Sequence, residues 1–236
     1  MEGYTMKAAI GAALAGFAVT QIPQTLAAPV PGGTLDPLTI PKYVTPLVIP
    51  PVLHDDGGVA MSVNVALRQI DQQVLPAGFP ATPLWAYGDP VNPATFNNPG
   101  FTIEVTKDIE TTVTWKNELV DANGDFLPHI IQDKNGVPIV DQTLHWAAPN
   151  QDCLDGMPRT DCQGASGEPY TGPIPMVTHV HGAHVGPESD GYPEAWWLPA
   201  ANNIPDGYAT EGTFYATTAT ADPGSAVYSY TNDQPT

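Results

Sequence analysis

Three of the chain's six histidines fall within the short run THVHGAH, residues 178–184. His179 and His181 form an H-x-H pair. In an extended segment the chain advances roughly 3.3 Å per residue, so imidazoles at i and i+2 share a face with origins roughly 6 to 7 Å apart. That spacing suits two nitrogen ligands leaning towards one metal ion, or towards two neighbouring ions. Imidazole binds copper, zinc and iron in its neutral form, which dominates near pH 7. Gly182, directly after the pair, permits the close approach or unusual backbone that such a site often needs. Taken alone, an H-x-H is also an ordinary feature of β proteins, and at this point a metal role and a structural role both stand. His184, in the loop after Gly182, is a third candidate ligand. Asp190 precedes Gly191, where it suits either a turn or a carboxylate that holds a proton or orients a ligand. His145, in TLHW, reads as a hydrogen-bonded core residue, while His54 and His129 lie in loop-like sequence.

The elements that must position these residues are read from alternation. In PMVTHVH, residues Val177, His179 and His181 fall on one face of a strand and Met176, Thr178 and Val180 on the other. MSVNVALRQI alternates likewise, with Met61, Val63, Val65 and Leu67 on one side. FTIEVT (Phe101, Ile103, Val105) and TTVTWK (Val113, Trp115) repeat the pattern, and the short polar KDIE between them reads as a link between neighbouring strands. QTLHW and residues 213–218 and 226–231 add further short strands, while 121–140 and 148–175, rich in Asp, Asn, Gly and Pro, read as long surface loops. With 27 prolines and 22 glycines in short clusters and almost no helical periodicity, the fold class expected is all-β, a Greek-key β-sandwich with long loops. Residues 29–58 form an extended proline-rich arm, because recurrent proline blocks both helix and central strand, and the domain proper occupies 59–236.

Residues 6–28 carry one lysine, an apolar run from Ala8 to Val19 and small residues at Ala27 and Ala28, the pattern of a secretory signal peptide over 1–28. No other stretch approaches the roughly 20 apolar residues of a membrane span. A secreted or cell-envelope location and no membrane partner are expected. Seven Lys and Arg against 25 Asp and Glu, a net charge of -18, exclude the basic surface through which nucleic acids are bound. The same acidity keeps the surface solvated and draws cations towards it. Cys153 and Cys162 bracket a turn-rich segment and, in an exported protein, suit a local disulfide.

The segment HVHGAHVGPESDGYPEAWW closely resembles the first copper-binding segment of multicopper oxidases, best in the branch of spore-coat laccases and bilirubin oxidases. The likeness extends to the proline arm TIPKYVTPLVIPP, to PATPLWAYGDPVNPATFNNPGFTIEVTKDIETTVTWKNEL, to DQTLHWAAP and to VYSYTNDQPT. The resemblance implies a cupredoxin-like domain in which His179 binds a type 2 copper and His181 one of the paired type 3 coppers of a three-copper cluster. It implies that Asp190 is the acid beside that cluster; Trp196 and Trp197, read as residues, are expected to pack at the edge of the sandwich. Electrons from a small reducing substrate would pass through a type 1 copper to the cluster, where O2 is reduced to water. Neither cysteine here has the histidine-flanked setting a type 1 site requires, and only one H-x-H is present. The chain therefore reads as the first cupredoxin domain of a three-domain enzyme, cut before the second H-x-H, inactive alone and partnered by the remaining cupredoxin domains. The alternatives are a non-catalytic copper-binding module and a structural β-sandwich.

Overall fold

A computed structural model describes residues 35–55, 57–133, 135–139, 147–153, 155–161, 169–216 and 222–234. The alternating segments become strands: β1 Val52–His54, β2 Met61–Gln72, β3 Thr82–Asp89, β4 Asn92–Asn97, β5 Thr102–Glu104, β6 Thr111–Asn117 and β7 Ser225–Tyr230. Two 3-10 turns, Pro187–Ser189 and Thr213–Ala216, are the helical elements among the described residues. The architecture is all-β with mixed sheets, consistent with a cupredoxin-like β-sandwich.

The larger sheet has the order β4-β3-β2-β6-β7, and β1 and β5 form a separate two-stranded sheet. β2 and β3 make an antiparallel hairpin in which Leu67 faces Tyr87 and Ile70 faces Leu84. β2 pairs in parallel with β6, Val63 against Val113 and Val65 against Trp115, and β6 pairs antiparallel with β7, Val113 against Tyr228. A parallel pair cannot be closed by a tight turn, so the chain between β2 and β6 crosses over by way of β3, β4 and β5.

The main core lies on one face of this sheet, where Ala226 and Tyr228 of β7 meet Trp197, Met176, Ala195 and Tyr215. Tyr228 and Trp197 touch edge to face at 5.9 Å, and Trp115 meets Tyr87 at 5.3 Å in the same manner. Such contacts add roughly 0.5–1.5 kcal/mol each to the burial of the rings. On the other face Ala66, Ala86 and Phe96 form a smaller cluster with Ile70 and Leu84. Arg68 closes it, its guanidinium 4.6 Å above the Phe96 ring and 2.6 Å from Glu118. β2 is thus buried on both faces at Val65 and Ala66, which its simple alternation does not announce.

Four expectations change. β5 and β6 are not neighbours: β5 is held by β1, both edges of β6 are taken by β2 and β7, and KDIE is a turn between sheets. Asp108 in that turn has φ 63°, and Asn232 Nδ2 donates to the Ile109 carbonyl at 2.7 Å. PMVTHVH joins no sheet: within it only Met176 makes an isolated bridge, to Trp197. Residues 213–216 form a 3-10 turn instead of a strand, because Thr213 N and Oγ1 both donate to Glu194 Oε2, at 3.1 and 3.0 Å. Trp196 and Trp197 are fully buried and Trp197 lies in the middle of the main core, not at its edge. The signal segment 1–28, the strand QTLHW with His145, and Cys162 lie outside the described residues. Cys153 is disulfide-bonded, and among the described residues no helix is long and apolar enough to cross a membrane.

Candidate metal centre

Residues 177–180 belong to no ladder and His181 opens a turn; the segment is hung from the core at two points. Met176 and Trp197 exchange both backbone hydrogen bonds, at 2.8 and 3.0 Å. Two residues on, the Thr178 N–H donates to the Tyr228 hydroxyl at 3.2 Å. The side chains then alternate as a strand's would, Met176 and Thr178 inward, Val177, His179 and His181 outward. A segment anchored through its inward residues presents the outward ones together. The His179 and His181 rings lie with centroids 6.0 Å apart and planes inclined by 39°, on one side of the segment.

Both rings line one cavity of about 540 Å³, together with Ile103 and Val105 beyond them and the aromatic side chains of Trp115 and Tyr230. Trp115 Nε1 donates to Tyr230 Oη at 3.1 Å. Burial pushes the Tyr230 hydroxyl up to about 12, and the Tyr87 and Tyr228 hydroxyls upward as well, so these phenols stay neutral beside the imidazoles. Gln234 Oε1 is buried on the same wall with no hydrogen-bond partner among the described residues. The cavity therefore offers imidazole nitrogens and neutral oxygen groups on an apolar frame, a surrounding that suits a bound cation bringing its own charge.

The two ring nitrogens of His179 are not equivalent. Nδ1 lies 2.5 Å from the backbone carbonyl of Asp190 and 3.4 Å from that residue's carboxylate. A carbonyl only accepts, so the contact requires a hydrogen on Nδ1, and in the neutral ring Nε2 then keeps its lone pair for a ligand. Metal-binding histidines are commonly held this way. Asp190 follows the turn Pro187–Ser189, and its side chain is half-exposed behind the His179 ring. The structure thus brings His179, His181 and Asp190 together. It does not bring His184 to them: that ring turns away, its Nδ1 3.5 Å from Asp233. Thr231 Oγ1 secures the same loop, 2.7 Å from the His184 carbonyl. His54 pairs with Glu104 at 3.0 Å, and the His129 ring packs on Trp85. Among the described residues no group of three or more His, Cys, Asp or Glu side chains converges on a point where a metal ion could sit.

Reasoning from the sequence missed three supports of the site. Ser189 is fully buried and its Oγ accepts from Ser229 N of β7 at 3.1 Å. Gly191, at φ 76°, lies against the back of His179. Glu194 is buried and accepts from Thr160 Oγ1 at 3.0 Å as well as from Thr213, tying the disulfide loop to the turn at 213–216. The Asp-Gly step signals a turn, yet nothing in it says what the turn touches.

No family profile matches the chain. It is 30% identical over 166 residues to a laccase of Haloferax volcanii, covering 68% of this chain and 23% of that protein. It is 29% identical over 162 residues to a laccase of Bacillus subtilis, covering 68% of this chain and 24% of that one. Against the multicopper oxidase LPR1 of Arabidopsis thaliana it is 33% identical over 118 residues, 50% of this chain and 14% of the relative. The chain thus matches less than a quarter of the length of each of these relatives. These similarities support placing it with the multicopper oxidases. Within that class they favour a laccase-like copper oxidase domain.

Proposed function

We propose that this chain is the N-terminal copper-binding part of a laccase-like multicopper oxidase of the spore-coat laccase and bilirubin oxidase branch. His179 and His181 are its ligands to the type 2 and type 3 coppers. The observation that carries this is the state of His179: Nδ1 is occupied by the Asp190 carbonyl, so Nε2 is left as a donor beside the His181 ring in a shared cavity. Bound copper would supply one-electron redox chemistry that couples oxidation of a small reducing substrate to reduction of O2 to water. Asp190, whose half-exposed carboxylate stands 3.4 Å from His179 Nδ1, is the acid that would relay protons between solvent and the site. Two imidazoles do not complete a copper cluster. The remaining ligands are assigned to further cupredoxin domains, which the much greater length of the relatives accommodates.

The test is a Cu(II) titration of the 236-residue chain, followed by calorimetry and electron paramagnetic resonance. Wild type should bind with nitrogen hyperfine structure, and His179→Ala with His181→Ala should remove that binding. The chain alone should consume no O2 with a phenolic substrate. Unchanged copper affinity in the double variant would refute the ligand assignment, and sustained O2 consumption by the chain alone would refute the need for further ligands.

A further inference from the structure

We infer that Ser189, Asp190 and Gly191 form a main-chain bracket that sets the tautomer and position of His179. In it the Asp190 backbone carbonyl, not the Asp190 carboxylate, is the positioning group. The inference deepens the metal reading above and rests on it for its consequence, although its geometry stands without a metal.

Three observations meet at the bracket. The Asp190 carbonyl is the nearer partner of His179 Nδ1, at 2.5 Å, while the carboxylate oxygen at 3.4 Å is beyond good hydrogen-bond length. Against the main chain of the histidine segment, Gly191 leaves no room: a Cβ there would lie 2.9 Å from His179 Cβ, 3.1 Å from His179 Cα and 3.0 Å from the Thr178 carbonyl oxygen. Its φ of 76° is in the left-handed region that glycine adopts freely. The third observation is the anchor. Ser189, with no exposed surface, accepts the backbone N–H of Ser229 on the edge strand β7, so the turn is tied to the large sheet. His179 is therefore held from the core side through Thr178 and Tyr228, and from the solvent side through a turn bolted to the same strand.

The consequence is a division of labour within Asp190. Its main chain fixes which nitrogen of His179 is free, while its side chain is not needed to hold the ring. A change of the carboxylate should leave His179 as it is, and a change of its glycine neighbour should not.

The experiment is long-range 15N–1H correlation on the full chain labelled at histidine, recorded at about pH 8, above the ordinary histidine range of about 6.5. His179→Ala assigns the signals. In wild type the His179 ring should be the Nδ1–H tautomer with a bias of about fivefold or more, the scale of one neutral hydrogen bond. Asp190→Asn should keep that pattern. Gly191→Ala and Ser189→Ala should each bring the two tautomers towards parity. Gly207→Ala should not: it bears the same backbone penalty at φ 85° but has nothing within 4 Å of its Cβ. In copper titrations Gly191→Ala should weaken binding roughly tenfold to a hundredfold, the usual consequence of losing a ligand's supporting partner. If Gly191→Ala does not fold, Ser189→Ala and the wild-type tautomer decide the matter. An Nε2–H ring in wild type, or a tautomer that switches in Asp190→Asn while Gly191→Ala and Ser189→Ala leave it unchanged, would overturn the bracket. A bracket that behaves as described in a chain whose copper affinity is indifferent to His179 would leave the inference standing and remove the metal reading instead.

Discussion

Replacing Tyr228 by phenylalanine removes one oxygen from the centre of the core and tests whether the histidine segment hangs from it. The ring is fully buried and its edge-to-face contacts with Trp197 and Trp115, at 5.9 and 6.4 Å, need no hydroxyl, so packing is conserved. What is lost is the acceptor for Thr178 N–H. Thr178 is itself buried, and a buried amide left without a partner costs about 1–3 kcal/mol. With a urea slope of about 2 kcal/mol/M, the midpoint of unfolding should fall by about 1 M while the slope stays constant. Equilibrium unfolding followed by tryptophan fluorescence measures the first effect. Native-state hydrogen exchange at the Thr178 amide measures the second, and protection there should fall by more than the global change requires, because that segment has no ladder to hold it. A loss under about 0.5 kcal/mol, the size expected of a neutral surface change, with undiminished protection at Thr178 would show that the Met176–Trp197 bridge alone carries the segment.

Two more perturbations read other parts of the same frame. Glu194→Ala deletes the acceptor of three hydrogen bonds and strands the buried Thr160 hydroxyl, so thermal or urea unfolding should register a loss of about 2–4 kcal/mol, and a loss under about 1 kcal/mol would contradict the role given to it. Burial raises Tyr230 from 10.0 to about 12 and raises Tyr228 further, so the folded state holds these protons more tightly than the unfolded chain. The corresponding stability is complete below about pH 10 and disappears as pH climbs from 10 towards 12. Absorbance at 295 nm should then show a group of phenols ionising only together with alkaline unfolding, and a single step near pH 10 for all nine tyrosines would refute the burial.

The alternation of apolar residues sufficed to place β2 and β6, because successive side chains of a strand point to opposite faces and so write a period of two into the sequence. It also set the phase of 176–181, which puts His179 and His181 on the same side whether or not a ladder forms there. Strand partners were not legible. β5 and β6 are separated by six residues along the chain, 105–110, yet they pair with segments far away, since register depends on which edges are free and not on proximity in sequence. Thr213–Ala216 has the composition of a strand and is bent into a turn by one remote carboxylate, that of Glu194.

Residue types alone determined that two imidazoles face one way, that an aspartate and a glycine follow at a turn, and that the surface is acidic. Tertiary structure alone decided what His179 Nδ1 meets: the main-chain carbonyl of a residue eleven positions away. Every residue carries a carbonyl, so only the folded path of the chain can say which one meets the ring.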